Sequence, residues 1–453
     1  MKTNTDEILG RGKILPTMLK LALPSVVAQL VNLLYSVIDR IYIGHIPKIG
    51  SDALAGVGVS ASIIILVSAF GAFVGGGGAP LCAIALGKGD QKRAERTLGN
   101  GTLLLAFFTL FCMATVYPFM DPLLRFAGAS DLTGPYAKEY LSVYMIGTPF
   151  VLVAGGLNMF ISAQGKTRIS MFSVLIGAIL NTALDPLFIF AFDMGVRGAA
   201  VATVISQAIS AAFVLTFLIS SRSAIRLHLH GLRPKKDVIL PILALGISPF
   251  VMQSTESLVG LVLNGTLSSF GDVYVGALTV MQSAMQIISI PLSGFTQGVS
   301  PLISYNYGHK NNDRVKEAFR YMLVIGVTFN LVGFGLMILF PSVVASLFSA
   351  DAALIEIVQR YMPIFFSGMT IFGLQRVCQT TFVALGDAKI SLLIALLRKV
   401  ILLIPFVYLF SSLLGVTGVY LAEGVADALA ATLCTLIFAF RFPKLLSKNE
   451  TQP

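Results

Sequence analysis

Apolar stretches of roughly 20 residues, the length an α-helix needs to cross about 30 Å of hydrocarbon, recur twelve times along this chain. They fall at approximately 15–44, 53–79, 98–120, 137–163, 168–192, 197–220, 238–267, 273–300, 320–343, 355–384, 390–412 and 416–440. A segment in lipid must satisfy its backbone N–H and C=O groups internally, so stretches of this length fold as helices. The composition agrees: 56% of the 453 residues are hydrophobic and 12% are charged. The first stretch is too long for a signal-peptide core and shows no small-residue cleavage site, so it reads as a retained helix. The expectation is an all-α, multi-pass membrane protein.

A net charge of +10 raises nucleic acid as a partner, and the placement of the basic residues argues against it. With the N-terminus taken as cytoplasmic, 23 of the 32 Lys and Arg residues fall on inner segments and five on outer loops (Lys48, Arg125, Lys138, Arg197, Arg360). The remaining four, Arg40, Arg376, Arg398 and Lys399, lie inside expected helices. This positive-inside bias places both termini in the cytoplasm and accounts for the charge with no nucleic acid. Cys82, Cys112, Cys378 and Cys434 form no C-x-x-C pair, and His45, His228, His230 and His309 are scattered among loops, so no metal cluster is expected. No phosphate-binding Walker loop is present. The run "GVGVSA" at 56–61 lies within a span, where small residues serve helix packing.

The chain is also a repeat. "GGAPLCAIALGKGDQKR" (77–93) falls on "GVSPLISYNYGHKNNDR" (298–314) at an offset of 221. The same offset pairs Gly77 with Gly298, Pro80 with Pro301, Gly87 with Gly308, Arg93 with Arg314, Tyr140 with Tyr361, Gly147 with Gly368, Gly165 with Gly386 and Ser170 with Ser391. Near the end of each half, "GVRGAAVA" (195–202) meets "GVTGVYLA" (415–422) at an offset of 220. Six helices per half is an even number, so both halves insert with the same orientation and are related by an axis along the membrane normal. Substrate sites and alternating access belong to such repeats. The expected division is an N-lobe at 1–220, a basic linker at 221–237, a C-lobe at 238–443 and a cytoplasmic tail at 444–453.

Ionisable groups at membrane depth are costly and mark functional candidates. The acidic ones are Asp39, Asp185, Glu256, Glu423 and Asp427. Asp39 comes late in helix 1 and Asp185 late in helix 5, both of which start inside, so both carboxylates reach the outer half of the bilayer. Thr203, soon after the outer start of helix 6, and Glu256 in helix 7 fall at comparable depths. Asn181 and Asp185 are four residues apart and share a helix face. Pro186 has no N–H for the carbonyl of Thr182 and weakens or bends the helix there. Asp39, Asn181 and Asp185 thus offer the hard oxygens of a small-cation site; alternatively, an aspartate takes up and releases a proton, or the group is a structural hydrogen bond between helices. Glu423 and Asp427, four apart on helix 12, are candidates to pair with Arg398 or Lys399.

The repeated halves, the "PLISYNYG" end of helix 8 and the "NTALDPLFIF" of helix 5 resemble the multidrug and toxic compound extrusion (MATE) family, whose MepA-like branch of bacterial exporters is most similar. The resemblance covers nearly the whole chain. It implies two pseudo-symmetric six-helix lobes of the MATE / MOP-flippase-like fold, in a bacterial plasma membrane. It further implies cation-coupled export of lipophilic, often cationic drugs, with Na+ or H+ as the coupling ion, no cofactor and no catalytic residue, by a monomer. Carried over, the cation-coupling cluster comprises Asp39, Asn158, Asn181, Asp185 and Thr203, with Pro24 and Pro186 as bending points. Glu256 matches an acidic position on helix 7, where it would attract cationic drugs. Helix 10 reads "FGLQRVCQTTF", with Gln375 and Arg376 and no aspartate, which places coupling in the N-lobe.

The 32 Phe and 15 Met suit a pocket for varied lipophilic molecules. Met281 and Met285 share a face of helix 8, with Gln282 and Gln286 beside it, a pattern that serves either core packing or a substrate wall. A lipid-linked oligosaccharide flippase shares the superfamily fold and needs a cationic cavity. A major-facilitator exporter also has six plus six helices, but its G-x-x-x-D-R-x-G-R-R loop is absent, "GKGDQKRAER" standing in its place. An intramembrane enzyme needs a His–Glu zinc motif, a nucleophile pair or catalytic aspartates in Gly-rich settings, none of which stands out.

Overall fold

A computed structural model describes residues 5–348 and 351–451, all helix, turn or loop. Among the described residues ten helices are long and apolar enough to cross a membrane, and an eleventh passage is a pair bent by 60°. We number the passages α1 (Ile14–Gly44), α2 (Gly50–Gly87), α3 (Gln91–Val116), α4 (Gly134–Ile146 with Thr148–Ala163), α5 (Thr167–Pro186, continued by Leu187–Ala191) and α6 (Gly195–Ile219). The second half supplies α7 (Lys236–Ser268), α8 (Asp272–Gly308), α9 (Asn312–Leu339), α10 (Ala352–Phe366 and Phe372–Ala384), α11 (Ala388–Leu396 through Ile404–Leu414) and α12 (Val416–Thr451). The passage α10 is interrupted by the turn Gly368–Ile371. It is therefore not one continuous helix and is not among the ten long apolar helices.

Helix ends differ from the apolar boundaries. The helices α2 and α8 run for 38 and 37 residues, well past their apolar stretches, until the short corners 88–90 and 309–311 before α3 and α9. There Asp90 and Asn311, again 221 apart, accept from the backbone N–H groups of Arg93 and Arg314 at 2.9 and 3.3 Å and cap the next helix. Pro24 leaves α1 unbroken over its 31 residues. At Pro186 the missing N–H does not end α5 but widens it into the π-helical turn Leu187–Ala191.

The repeat is visible in the backbone. Short helices Met120–Phe126 and Pro341–Phe348 begin 221 residues apart. Gly165 and Gly386 turn their corners at φ +79° and +78°, and Gly195 and Gly415 at +55° and +61°.

The two halves meet most closely along α1–α8 and α2–α7, and they do so reciprocally. A side chain on Gly87 would strike the carbonyl of Tyr305, and one on Gly308 would strike the carbonyl of Ile84; Ile84 and Tyr305 are themselves an offset-221 pair. Further along, Gly77 abuts Ile242 of α7 and Gly298 abuts Leu21 of α1, repeating the relation. Each contact and its mate are what a two-fold axis generates, and glycine is what lets the backbones come so near.

These contacts close one end of the molecule, the end carrying both described termini. There Asn306 and Arg314 donate to the carbonyls of Leu9 and Gly12 at 2.9 and 2.8 Å, and Asn449 donates to the carbonyl of Tyr307 at 2.7 Å. Apolar packing at this end is continuous across both halves, joining Leu9, Ile14 and Leu98 to Val299, Leu302 and Val315. Elsewhere the cores separate: one holds only C-lobe residues around Phe366 and Tyr420, another only N-lobe residues around Ile43 and Tyr144. Exposed Leu, Ile and Phe side chains along nearly every passage, such as Leu23, Phe107, Leu339 and Phe440, face the surroundings, as lipid contact requires.

Gly308→Leu is expected to hold the terminal end apart. Spin labels on cysteines placed at 92 and 316 would then show longer separations than the same labels on the parent sequence. An unchanged distance distribution would show that the glycine contact does not set closure.

Candidate functional site

With the lobes joined at one end, a cavity of about 750 Å³ opens between them. The helix α1 contributes Gln29, Asn32 and Tyr35, α5 and α6 contribute Asn181, Thr203 and Ser206, and the C-lobe contributes Met252, Glu256, Gln297 and Arg376. Gln29 spans the gap, donating from Nε2 to Gln297 Oε1 at 3.1 Å. Glu256 and Arg376 are the charged residues among those lining it.

Behind the N-lobe wall lie the two aspartates. Asp39 is 8% exposed and Asp185 is fully buried, whereas Arg40 points outward, as neighbours about 100° apart on a helix should. Asn181 organises the cluster: its Nδ2 donates to Asp185 Oδ1 at 3.1 Å and to Thr203 Oγ1 at 3.3 Å. Asp39 and Asp185 are within hydrogen-bond reach of each other, and Tyr35, one turn before Asp39, is an electrostatic neighbour of both. Three buried oxygens are left without a protein partner: Asp39 Oδ1, Asn181 Oδ1 and Asp185 Oδ2. Buried polar groups are ordinarily paired, and these three hard oxygens are acceptors that a proton or a small cation would satisfy. The described residues hold no group of three His, Cys, Asp or Glu side chains suited to a metal ion.

The other sequence-derived positions divide. Asn158 lines the cavity but stands apart from the aspartates; its Nδ2 donates to the carbonyl of Ser170 at 3.1 Å. Eleven residues of helix separate Ser170 from Asn181, about 16 Å at 1.5 Å per residue. Met281 is enclosed in the C-lobe core and Gln282 is half-buried; neither is among the residues lining the cavity. Met285 instead borders a smaller recess of about 100 Å³ in the C-lobe. Tyr35 and Tyr140, which contacts Thr203, belong to the N-lobe site and were not anticipated. Tyr35 stood in view as the i−4 partner of Asp39.

The C-lobe answers its own acids. Arg398 engages Asp427 through both nitrogens and reaches Glu423 at 3.6 Å, while Lys399 Nζ lies 3.1 Å from Glu423. The Arg398 guanidinium also sits 4.1 Å above the Phe372 ring. Glu423 and Asp427 are therefore spoken for, as their spacing suggested.

The chain is similar over 438 residues, at 25% identity and 96% of both chains, to the multidrug export protein MepA of Staphylococcus aureus (strain MRSA252). Among solved structures it is similar to a MATE in the bent conformation, with TM-score 0.92 at 23% identity and full coverage of both chains. It is also similar to a multidrug resistance MATE family transporter of the MOP superfamily in its outward-facing conformation, with TM-score 0.91 at 23% identity, covering 98% of this chain and 99% of that one. The MatE family model matches residues 24–187 and 249–409, one stretch in each pseudo-symmetric half, and the chain belongs to that family.

Proposed function

We propose that the protein is a cation-coupled antiporter that exports lipophilic, often cationic compounds across the plasma membrane. The observation that carries this reading is the pair Asp39 and Asp185, buried with unpartnered oxygens beside a cavity shared by both lobes. On this reading 1–220 and 238–443 are the moving lobes, 221–237 joins them, and 444–453 is a tail. The terminal end, where the Lys- and Arg-rich corners gather, is cytoplasmic under the positive-inside rule, so the closed glycine contacts leave the cavity facing outward. One chain suffices, because both lobes and the whole cavity come from it.

In this state a proton or Na+ from outside reaches Asp39, Asp185 and Asn181, whose oxygens suit a small hard cation. Thr203 positions Asn181 through its hydroxyl. Neutralising the aspartates changes how α1 packs against α5, and α1 also carries Gln29, Asn32 and Tyr35 of the cavity wall, so occupancy of the ion site reaches the drug site through one helix. Pro24, with no N–H to hold the preceding turn, is the point at which α1 is most readily bent, and Pro186 loosens α5 beside the cluster. Asn158 serves the lower cavity wall. Glu256 faces the cavity and attracts cationic substrates. An inward potential supplies about 2.3 kcal/mol per charge per 100 mV, enough at about 1.4 kcal/mol per decade for at least tenfold accumulation outside per net positive charge carried inward in the exchange. A flippase for an anionic pyrophosphate headgroup would need a cationic cavity, and this one has a single Arg opposite a Glu.

Asp185→Asn is expected to lower efflux of ethidium at least tenfold with the protein still present in the membrane; Asp39→Asn should do the same. Retained efflux in either variant removes that residue from the mechanism. In everted vesicles, ethidium movement should respond to an imposed Na+ gradient or to an imposed pH gradient, and the gradient that drives it names the ion. No response to either would overturn cation coupling.

A further inference from the structure

A recess of about 100 Å³ opens off the C-lobe side of the main cavity. Met252, Glu256, Arg376 and Gln379 line both spaces. The recess is also lined by Ser289, Ser293, Gln375, Arg398 and Lys399. Three bases and three acids lie at this level, but they do not pair evenly. Arg398 and Lys399 consume Glu423 and Asp427. Arg376 has no carboxylate within 4 Å among the described residues; one of its terminal nitrogens donates to the neutral hydroxyl of Ser293 at 2.8 Å, and its buried Nε has no partner.

The surroundings of Arg376 are similarly unfinished. Gln375 is 2% exposed and its amide oxygen has no partner; a half-turn of its terminal torsion presents the NH₂ group instead. Gln379 donates to the sulfur of Met252 at 3.0 Å, a weak acceptor that a better one would displace. A guanidinium with a spare N–H, two amides and two serine hydroxyls are the groups that bind a carboxylate through charge-assisted hydrogen bonds. Glu256, at the mouth, makes no ion pair within 4 Å among the described residues and faces the main cavity.

We propose that this recess is a subsite for the carboxylate of a zwitterionic amphiphile, held by Arg376 with Gln375 and Gln379, while Glu256 takes the same molecule's cationic group. The apolar body stays in the large cavity, since the recess is too small for a fused ring system. The proposal rests on the reading of the large cavity as the substrate site and deepens it by assigning the residues that hold each charged end of such a molecule.

The test uses rhodamine B and its ethyl ester, which share the xanthylium cation and differ in whether the carboxyl group is free. Binding of each dye to the purified full-length protein is followed by fluorescence anisotropy, and the ratio of the two dissociation constants is read. Arg376→Gln is expected to raise the acid-to-ester ratio about tenfold, the loss of a charge-assisted contact. Arg376→Lys, which keeps the charge, should bring the ratio back most of the way. A ratio unchanged in Arg376→Gln overturns the assignment. Should Arg376→Gln bind neither dye, Gln375→Leu decides: a raised ratio supports the subsite and an unchanged one overturns it. A protein that binds the dyes with this preference but moves neither in vesicles would sink the export reading and leave the subsite standing.

Discussion

Two backbones in contact, each with no side chain between them, fix everything else about this molecule. Where Gly87 meets Tyr305 and Gly308 meets Ile84, the lobes are as close as polypeptide allows, and the twofold relation makes the two contacts equivalent. Lobes pinned at one end and diverging elsewhere must enclose a space. The cavity is therefore a consequence of where the glycines sit, and needs no special packing of its own. The same contacts make closure a matter of shape, with few bonds to break. The polar ties across the closed end, chiefly Asn306 to the carbonyl of Leu9 and Arg314 to that of Gly12, are individually worth about 1–3 kcal/mol net. A joint of that kind can open.

The lobes share a backbone but have opposite electrostatic habits. At the repeat offset, Asp39 corresponds to Gly260, Asn181 to Leu402 and Asp185 to Phe406, so the C-lobe has no copy of the carboxylate cluster. Conversely, the C-lobe's Glu423 and Asp427 match Thr203 and Gln207 at the offset of 220, and they are neutralised by Arg398 and Lys399. Burying an ion pair is tolerable when geometry and further hydrogen bonds compensate, whereas an unpaired buried charge is expensive. The C-lobe has adopted the first arrangement for two of its acids. The N-lobe acids have no such base beside them, and the proposed coupling ion is what would offset that cost.

Much of this could be read along the sequence, and what could not has a common cause. Length and apolarity place the passages, and an offset of 221 exposes the symmetry. Counting residues from a helix end gives depth, which brought Asp39, Asn181, Asp185 and Thr203 to one level. Depth does not give rotation. In a soluble helix an apolar stripe tells which way a side chain points, but here lipid and core are both apolar. Met281 could face either core or cavity until the packing was known, and it faces the core. Asn158 joins the aspartates by family likeness alone, and its amide donates instead to the carbonyl of Ser170. The long extensions of α2 and α8 escaped notice for a different reason: hydropathy reports where lipid ends, and a helix ends only at a cap.

The position of the aspartates behind the cavity wall, with Asn181, Thr203 and Tyr35 in front of them, bears on how exchange would work. A drug and a cation competing for the same carboxylate oxygens would limit export to molecules able to reach and satisfy those oxygens. Here the N-lobe side of the cavity is made of amides, hydroxyls, Met and small residues, with Glu256 and Arg376 on the C-lobe side, and the carboxylates of Asp39 and Asp185 lie one layer deeper. Competition would then run through the position of α1, which holds Asp39 on one face and Gln29, Asn32 and Tyr35 toward the cavity. A site that communicates by moving a helix makes no demand on the chemistry of what it displaces. On the proposed reading, breadth of substrate and a dedicated ion site would coexist for that reason.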